Sequence, residues 1–167
     1  MQRYYVMLED TRIPYKIQPS SLPRNTSFEE FPPVQVLDMT IPVHGEFSDW
    51  LSVSTTLLSN PMKRILEKYN VQARFKRVYL INRKDNQSAL YWMPHAPAMD
   101  VLSSYAEFDL QGQYIKRLVL DHEKVKGNHF FTVQGIREPF FIISIEVAES
   151  LLRRNLSGFR LQPVELA

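Results

Sequence analysis

Two stretches of this chain follow one order: an apolar extended run, a serine, apolar residues at helical spacing, and a second extended run. The first is "WLSVSTTLLSNPMKRILEKYNVQARFKRVYL" and the second is "PFFIISIEVAESLLRRNLSGFRLQPVEL". A serine before a helix is a favoured N-cap, because its hydroxyl accepts from a backbone amide that has no partner inside the helix. This order constrains the fold more than any other feature. Each stretch places one helix between two strands, so the helix must bury its apolar stripe on a sheet built partly from its own neighbours. The expected class is α+β: a mixed, mainly antiparallel sheet with two packed helical regions in approximately repeated strand, Ser cap, helix, strand units.

In the first stretch Leu51 and Val53 alternate as a strand and Ser54 reads as the N-cap. Leu57, Leu58, Met62, Ile65, Leu66 and Tyr69 then trace a helical stripe. Pro61 either kinks that helix or opens a second one capped by Asn60, with the proline at its tolerated first position. After Asn70, the positions Val71, Ala73 and Phe75 alternate before the run turns continuously apolar. In the second stretch Ser144 is the cap and Val147, Leu151 and Leu152 form the stripe, with Ala148 beside them. Arg153 and Arg154 favour the carbonyl end of the helix, and "NLSG" supplies a left-handed stop. "FRLQPVEL", interrupted by Pro163, reads as an edge strand.

The chain of 167 residues is long enough to bury roughly 70% of its extended surface, so one domain over 1–167 is expected. Residues 1–45 hold a first strand from Arg3 to Leu8, then an arm broken at Pro14, Pro19, Pro23, Pro32, Pro33 and Pro42. Phe28, Phe31 and Val34 are the expected pins of that arm, and "VQVLDMTIPV" a short strand near a sheet edge. Residues 46–90 are the first unit and 139–167 the second. Between them, 91–138 carries central strands and turns, including "PHAPAMD" as a break and "YIKRLVL" and "HFFTVQ" as strands around the polar turn "DHEKVKGN".

The composition excludes several chemistries. There is no cysteine, which removes disulfides, thiolate metal sites and cysteine nucleophiles together. No GxSxG, P-loop or GxGxxG occurs. "HGEFSD" crowds His44, Glu46, Ser48 and Asp49, but triads are made by geometry and not by local crowding. His122, Glu123 and His129 flank a glycine-containing turn and are the residues from which a metal-dependent hydrolase would have to be built, without HExxH spacing. "MQRYYVMLED" meets acids too soon for a signal peptide, and no run approaches the roughly 18 apolar residues of a membrane span. The expectation is a cytoplasmic protein with no cofactor, no metal and no membrane partner, and not an enzyme.

Charge is unevenly placed. Residues 1–50 hold four basic and seven acidic side chains, and residues 51–100 hold eight basic and three acidic. The acidic part offers Glu29, Glu30, Asp38, Glu46 and Asp49, with Trp50 as an aromatic anchor, for a protein partner. Trp92 reads either as a second anchor or as core. The basic part offers Lys63, Arg64, Arg74, Lys76 and Arg77 for phosphates, the alternative reading as a small nucleic-acid-binding protein.

The C-terminal "FIISIEVAESLLRRNLSGFRLQPVEL" resembles the ending of the Imm11-like immunity protein family, also called DUF1629: a strand runs into a serine and a helix, and a "GF" strand closes on apolar-x-Pro. "DWLSVSTTLLSNPMKRILEKYNVQARFKRVYL" resembles that family's upstream capped helix, and "LYWMPHAPAMDVLSSYAEFDL" its aromatic strand with an Asp-containing segment. "YWMPHAPAMD" departs from the plainer aliphatic run of the family. The resemblance covers most of residues 46–165 and rests on scaffold positions. It implies an immunity protein of a bacterial polymorphic toxin system, whose partner is the C-terminal domain of a cognate toxin, and it carries over no catalytic residues to this chain.

Overall fold

The computed structural model describes residues 2–23, 26–52 and 54–167; Val53, read above as a strand position, lies outside them. The first half of the chain contains β1 (Tyr4–Glu9), β2 (Gln18–Pro19), a 3-10 turn (Phe28–Glu30), β3 (Val34–Thr40), β4 (Trp50–Ser52), β5 (Thr56–Ser59), α1 (Asn60–Leu66), β6 (Arg74–Asn82) and β7 (Gln87–His95). The second half contains β8 (Ala98–Met99), β9 (Glu107–Phe108), β10 (Ile115–Arg117), β11 (Val119–Leu120), β12 (Phe130–Val133), β13 (Phe141–Ser144), α2 (Ile145–Arg153), β14 (Phe159–Pro163) and β15 (Glu165–Leu166). Among the described residues no helix is long and apolar enough to cross a membrane.

The fold is α+β with mainly antiparallel pairing and two helices, but the strands divide into two principal sheets where the sequence suggests one. One sheet runs β2-β3-β6-β7-β5-β4 and the other β14-β1-β13-β12-β8, with β9 and β10, and β11 and β15, as separate pairs. Side-chain direction explains the division. Along β1, Tyr4 and Val6 enter one core while Tyr5 and Met7 enter another; β12 and β13 separate Phe131 and Ile142 from Phe130 and Ile143 in the same way. Strands that are apolar on both faces need cover on both.

Three cores result. The first joins both helices to both sheets: Met62, Ile65 and Leu66 of α1 meet Val147, Ala148 and Leu151 of α2, with Leu58, Phe130 and Ile143. The second lies on the other face of the six-stranded sheet, where Ile17, Leu22 and Phe31 of the proline-broken arm cover Met39, Leu57, Val78, Leu80 and Tyr91. In the third, Val101, Leu120 and Val125 close the outer face of β1, β12 and β13. Phe31 and Phe28 therefore do pin the arm, whereas Val34 is exposed on β3.

Both helices start at the serine that ends the preceding strand. Ser59 Oγ accepts from the Met62 amide at 3.3 Å and Ser144 Oγ from the Val147 amide at 3.5 Å. Ser54 is not the cap: it sits at φ 65° between β4 and β5. Leu57 and Leu58 consequently belong to β5, where period-two alternation sends them into different cores. Pro61 falls in the first turn of α1, where its missing amide hydrogen costs nothing. β6 lies two places from β5 with β7 between, and β14 lies two places from β13 with β1 between.

Helix α2 ends on Asn155 at φ 54°, with the Asn155 amide donating to Leu152 O and the Leu156 amide to Leu151 O. This left-handed closure satisfies carbonyls that would otherwise be orphaned. Leu152 and Val71, read as buried positions, are exposed, because the helix stripe needs only Val147, Ala148 and Leu151 and because Val71 precedes the start of β6. "PHAPAMD" is less of a break than expected: β7 runs on through Pro94 and His95, and β8 forms at once. The β6–β7 turn is built by Asn82, whose Oδ1 accepts from the Lys84 amide at 3.0 Å and the Asp85 amide at 3.3 Å.

Candidate functional site

The acidic candidates lie on separate elements with separate local partners. Glu29 forms an ion pair with Arg74, and the guanidinium's hydrogen bond lowers the Glu29 carboxyl below its ordinary pKa. Glu30 accepts from the Ser27 amide at 3.1 Å, closing a capping box on the 3-10 turn. Asp38 lies 3.4 Å from Arg83, and Glu46 is exposed.

Asp49 and Trp50 have a different setting. Trp50 is buried in the first core, edge-on to Phe141 with ring centroids 6.0 Å apart. Asp49 Oδ1 accepts from Ser59 Oγ at 2.6 Å and Oδ2 from the Ser157 amide at 2.8 Å. Its backbone adds two bonds: the Asp49 amide donates to Ser157 O at 3.1 Å, and Asp49 O accepts from the Ser59 amide at 2.9 Å. Tyr91 Oη donates to the neighbouring Ser48 O at 2.7 Å, and burial pushes that phenol's pKa up. Residues 48–50 thus tie the cap of α1 to the loop between α2 and β14, and both side chains read as partner contacts are spent inside the protein.

The basic candidates divide between two faces of the six-stranded sheet, because successive side chains of a strand point oppositely. Arg74 and Lys76 pack on the Phe28 ring at 5.2 and 4.5 Å, and Lys76 Nζ also donates to the Phe28 and Phe31 carbonyls. Both are occupied in holding the arm. Lys63 and Arg77 lie instead on the Trp92 ring at 4.5 and 5.5 Å, while Trp92 Nε1 donates to Asn60 Oδ1 at 3.0 Å. Arg64 is exposed on α1. The five cations therefore do not make one continuous phosphate track. What the sequence reading missed is the apolar company of the second group: Val34, Val36 and Tyr79 are exposed beside it. The signal was present in "VQVLDMT", which is apolar at both parities of a strand.

The histidines are likewise dispersed. His122 Nε2 lies 2.8 Å from Glu123 and His129 Nδ1 lies 2.9 Å from Ser144 Oγ. Among the described residues no group of three or more His, Asp or Glu side chains is arranged to hold a metal ion. A cleft of about 650 Å³ opens beside His129, lined also by Tyr69, Asn70, Asp100 and Asn128.

His95 stacks on Phe28 with centroids 4.8 Å apart, and burial, then the nearby Arg74, lowers its pKa below 6.5. A histidine with a depressed folded pKa contributes stability that is full above its unfolded value and is lost as pH falls through the folded one. The thermal midpoint is therefore expected to drop as pH is lowered from about 6.5, and a His95→Phe variant to lose part of that slope. Equal slopes in the two proteins by scanning calorimetry would assign the acid sensitivity elsewhere.

Residues 2–165 match the model of a protein family described as "Immunity protein family (Imm11)". No curated protein matches the chain.

Proposed function

The chain belongs to the Imm11 immunity protein family, and from that premise we propose that it binds the C-terminal domain of a cognate bacterial toxin and neutralises it by occlusion. The observation that carries this reading is the extent of the match, residues 2–165 of 167. The protein acts in the cytoplasm of the producing cell and without catalysis. Complementary charge speeds encounter, and packed contact supplies most of the lifetime of the complex. Residues 46–90 and 139–167 act as an approximate internal repeat, a reading supported by their shared strand, Ser cap, helix, strand order and by the matching placement of their return strands.

Coexpression tests the reading. A candidate toxin C-terminal domain from the same genome should arrest growth alone, and this protein should restore it and co-purify in a fixed stoichiometry measured by light scattering. Continued arrest with both proteins present in soluble form would remove direct neutralisation. Salt-dependent retention of a short duplex, lost on reversing Lys63 and Arg77, would then favour the nucleic-acid reading.

A further inference from the structure

The six-stranded sheet is covered unevenly on one face. Leu58 of β5 points into the core that holds α1 and α2, and its direct partner across the sheet is Trp92 of β7. Trp92 pairs with Arg77 and Leu90 with Tyr79; Arg77 pairs with Val34 and Tyr79 with Val36. Directly paired residues share a face, so all of these side chains lie on the side that the helices cover farther along. Here the cover stops: Val34, Val36 and Tyr79 are 47%, 57% and 37% exposed. A contiguous apolar patch held on rigid, paired strands is the kind of surface proteins bury against one another.

The patch carries both charges, but its carboxylates are taken: Asp38, two residues beyond Val36 on the same face, pairs with Arg83 at 3.4 Å. Lys63 and Arg77 flank the Trp92 indole, and Lys63 is already paired with Glu67 at 2.6 Å. Among the described residues Arg77 has no carboxylate partner. Trp, Tyr and Arg set among aliphatic side chains is the composition of interface hot spots.

We infer that this face, centred on Val36, Arg77, Tyr79 and Trp92, is where the toxin domain docks, and that the toxin meets it with carboxylates beside an apolar surface. The inference rests on the immunity reading above. A second copy of this chain is the poorer fit, since the carboxylates of this face, Glu67 and Asp38, are already paired with its own Lys63 and Arg83 and leave none for Arg77 of the other copy. Nucleic acid fits poorly too, because Val34 and Val36 would face phosphates while Arg74 and Lys76 point to the opposite side.

Calorimetric titration of the full chain with the toxin domain whose growth arrest it relieves tests this. Arg77→Glu and Val36→Asp are each expected to weaken binding by about tenfold or more, with unfolding curves confirming that both remain folded. Val36→Thr keeps the β-branched shape and should bind more tightly than Val36→Asp. Leu110→Asp, in the exposed β9–β10 loop, should bind as the unsubstituted protein does. If both sheet variants keep their affinity, or only Leu110→Asp loses it, the surface is wrong and the immunity reading stands. If the unsubstituted chain forms no complex, both fall. A dimer in solution that Arg77→Glu dissolves would assign the face to a second copy and overturn the inference.

Discussion

Gly158→Ala is expected to destabilise the protein by about 3 kcal/mol or more, combining a left-handed backbone penalty of about 1–2 kcal/mol with an overpacking cost of about 1–3 kcal/mol. Gly158 has φ 93°, and a Cβ built there would lie 2.7 Å from Trp50 O, 2.8 Å from Ser48 Cβ and 2.9 Å from Trp50 N. Two of these three atoms are backbone and cannot swing aside. Relief would require β14 to separate from the 48–50 segment, which also breaks the Asp49 bonds to Ser157. Gly135 provides the control: its φ is 90°, yet a Cβ added there would meet nothing within 4 Å. Gly135→Ala should therefore show only the backbone part, about 1–2 kcal/mol. Urea unfolding of the two variants separates the contributions. Equal losses would mean that the contact at residues 48–50 yields easily.

The second unit was legible because its signals agree with one another. Ser144 ends an apolar strand and heads a stripe at 147, 151 and 152 with 148 beside it, and the polar "NLSG" closes it, so strand, cap, helix and stop each admit one reading; only Leu152 turns outward instead of joining the stripe. In the first unit the signals conflict. "STTLLSNP" points to Ser54 or Asn60 as the cap and passes over Ser59 between them, and adjacent leucines fit a helix or a doubly buried strand equally well. Tertiary pairing decided: β5 hydrogen-bonds to β4 and β7, which draws Leu57 and Leu58 into a sheet and leaves Ser59 as the cap. The two-sheet division was hidden for a related reason. It depends on which strands are buried on both faces, and that follows from partners distant in sequence, such as Tyr4 opposite Ser144. For the candidate site, residue type was a poor guide to role. Trp50 carries the identity of an interface anchor but sits in the core, while Trp92, equally open to either reading, lies on the uncovered sheet face. Burial separates the two, and local sequence does not contain it.

Asp49→Ala should be nearly as damaging as the glycine substitution, at about 3 kcal/mol, because hydrogen bonds to an ionised group contribute about 1.5–3 kcal/mol each and a donor left without its partner adds a desolvation cost. The carboxylate serves donors from two units at once, Ser59 Oγ at 2.6 Å and the Ser157 amide at 2.8 Å. Removing it frees the cap of α1 and the loop that enters β14 together. Asp49→Asn retains one carbonyl oxygen and replaces the other with an amide nitrogen, so one of the two donors loses its acceptor and the loss should be about half as large. Ser157→Ala should cost within about 0.5 kcal/mol, since the donor that matters there is the backbone amide and the hydroxyl lies 3.5 Å away. A double-mutant cycle between Asp49→Ala and Ser59→Ala should give a coupling of about 1 kcal/mol or more, as expected for residues in direct contact. The same variants distinguish scaffold from interface. If Asp49 is only a tie between the units, Asp49→Asn protein that is fully folded binds the toxin domain as tightly as the unsubstituted chain does. A tenfold loss in that folded variant would instead return Asp49 to the partner surface, with Arg77 retained or lost independently of it.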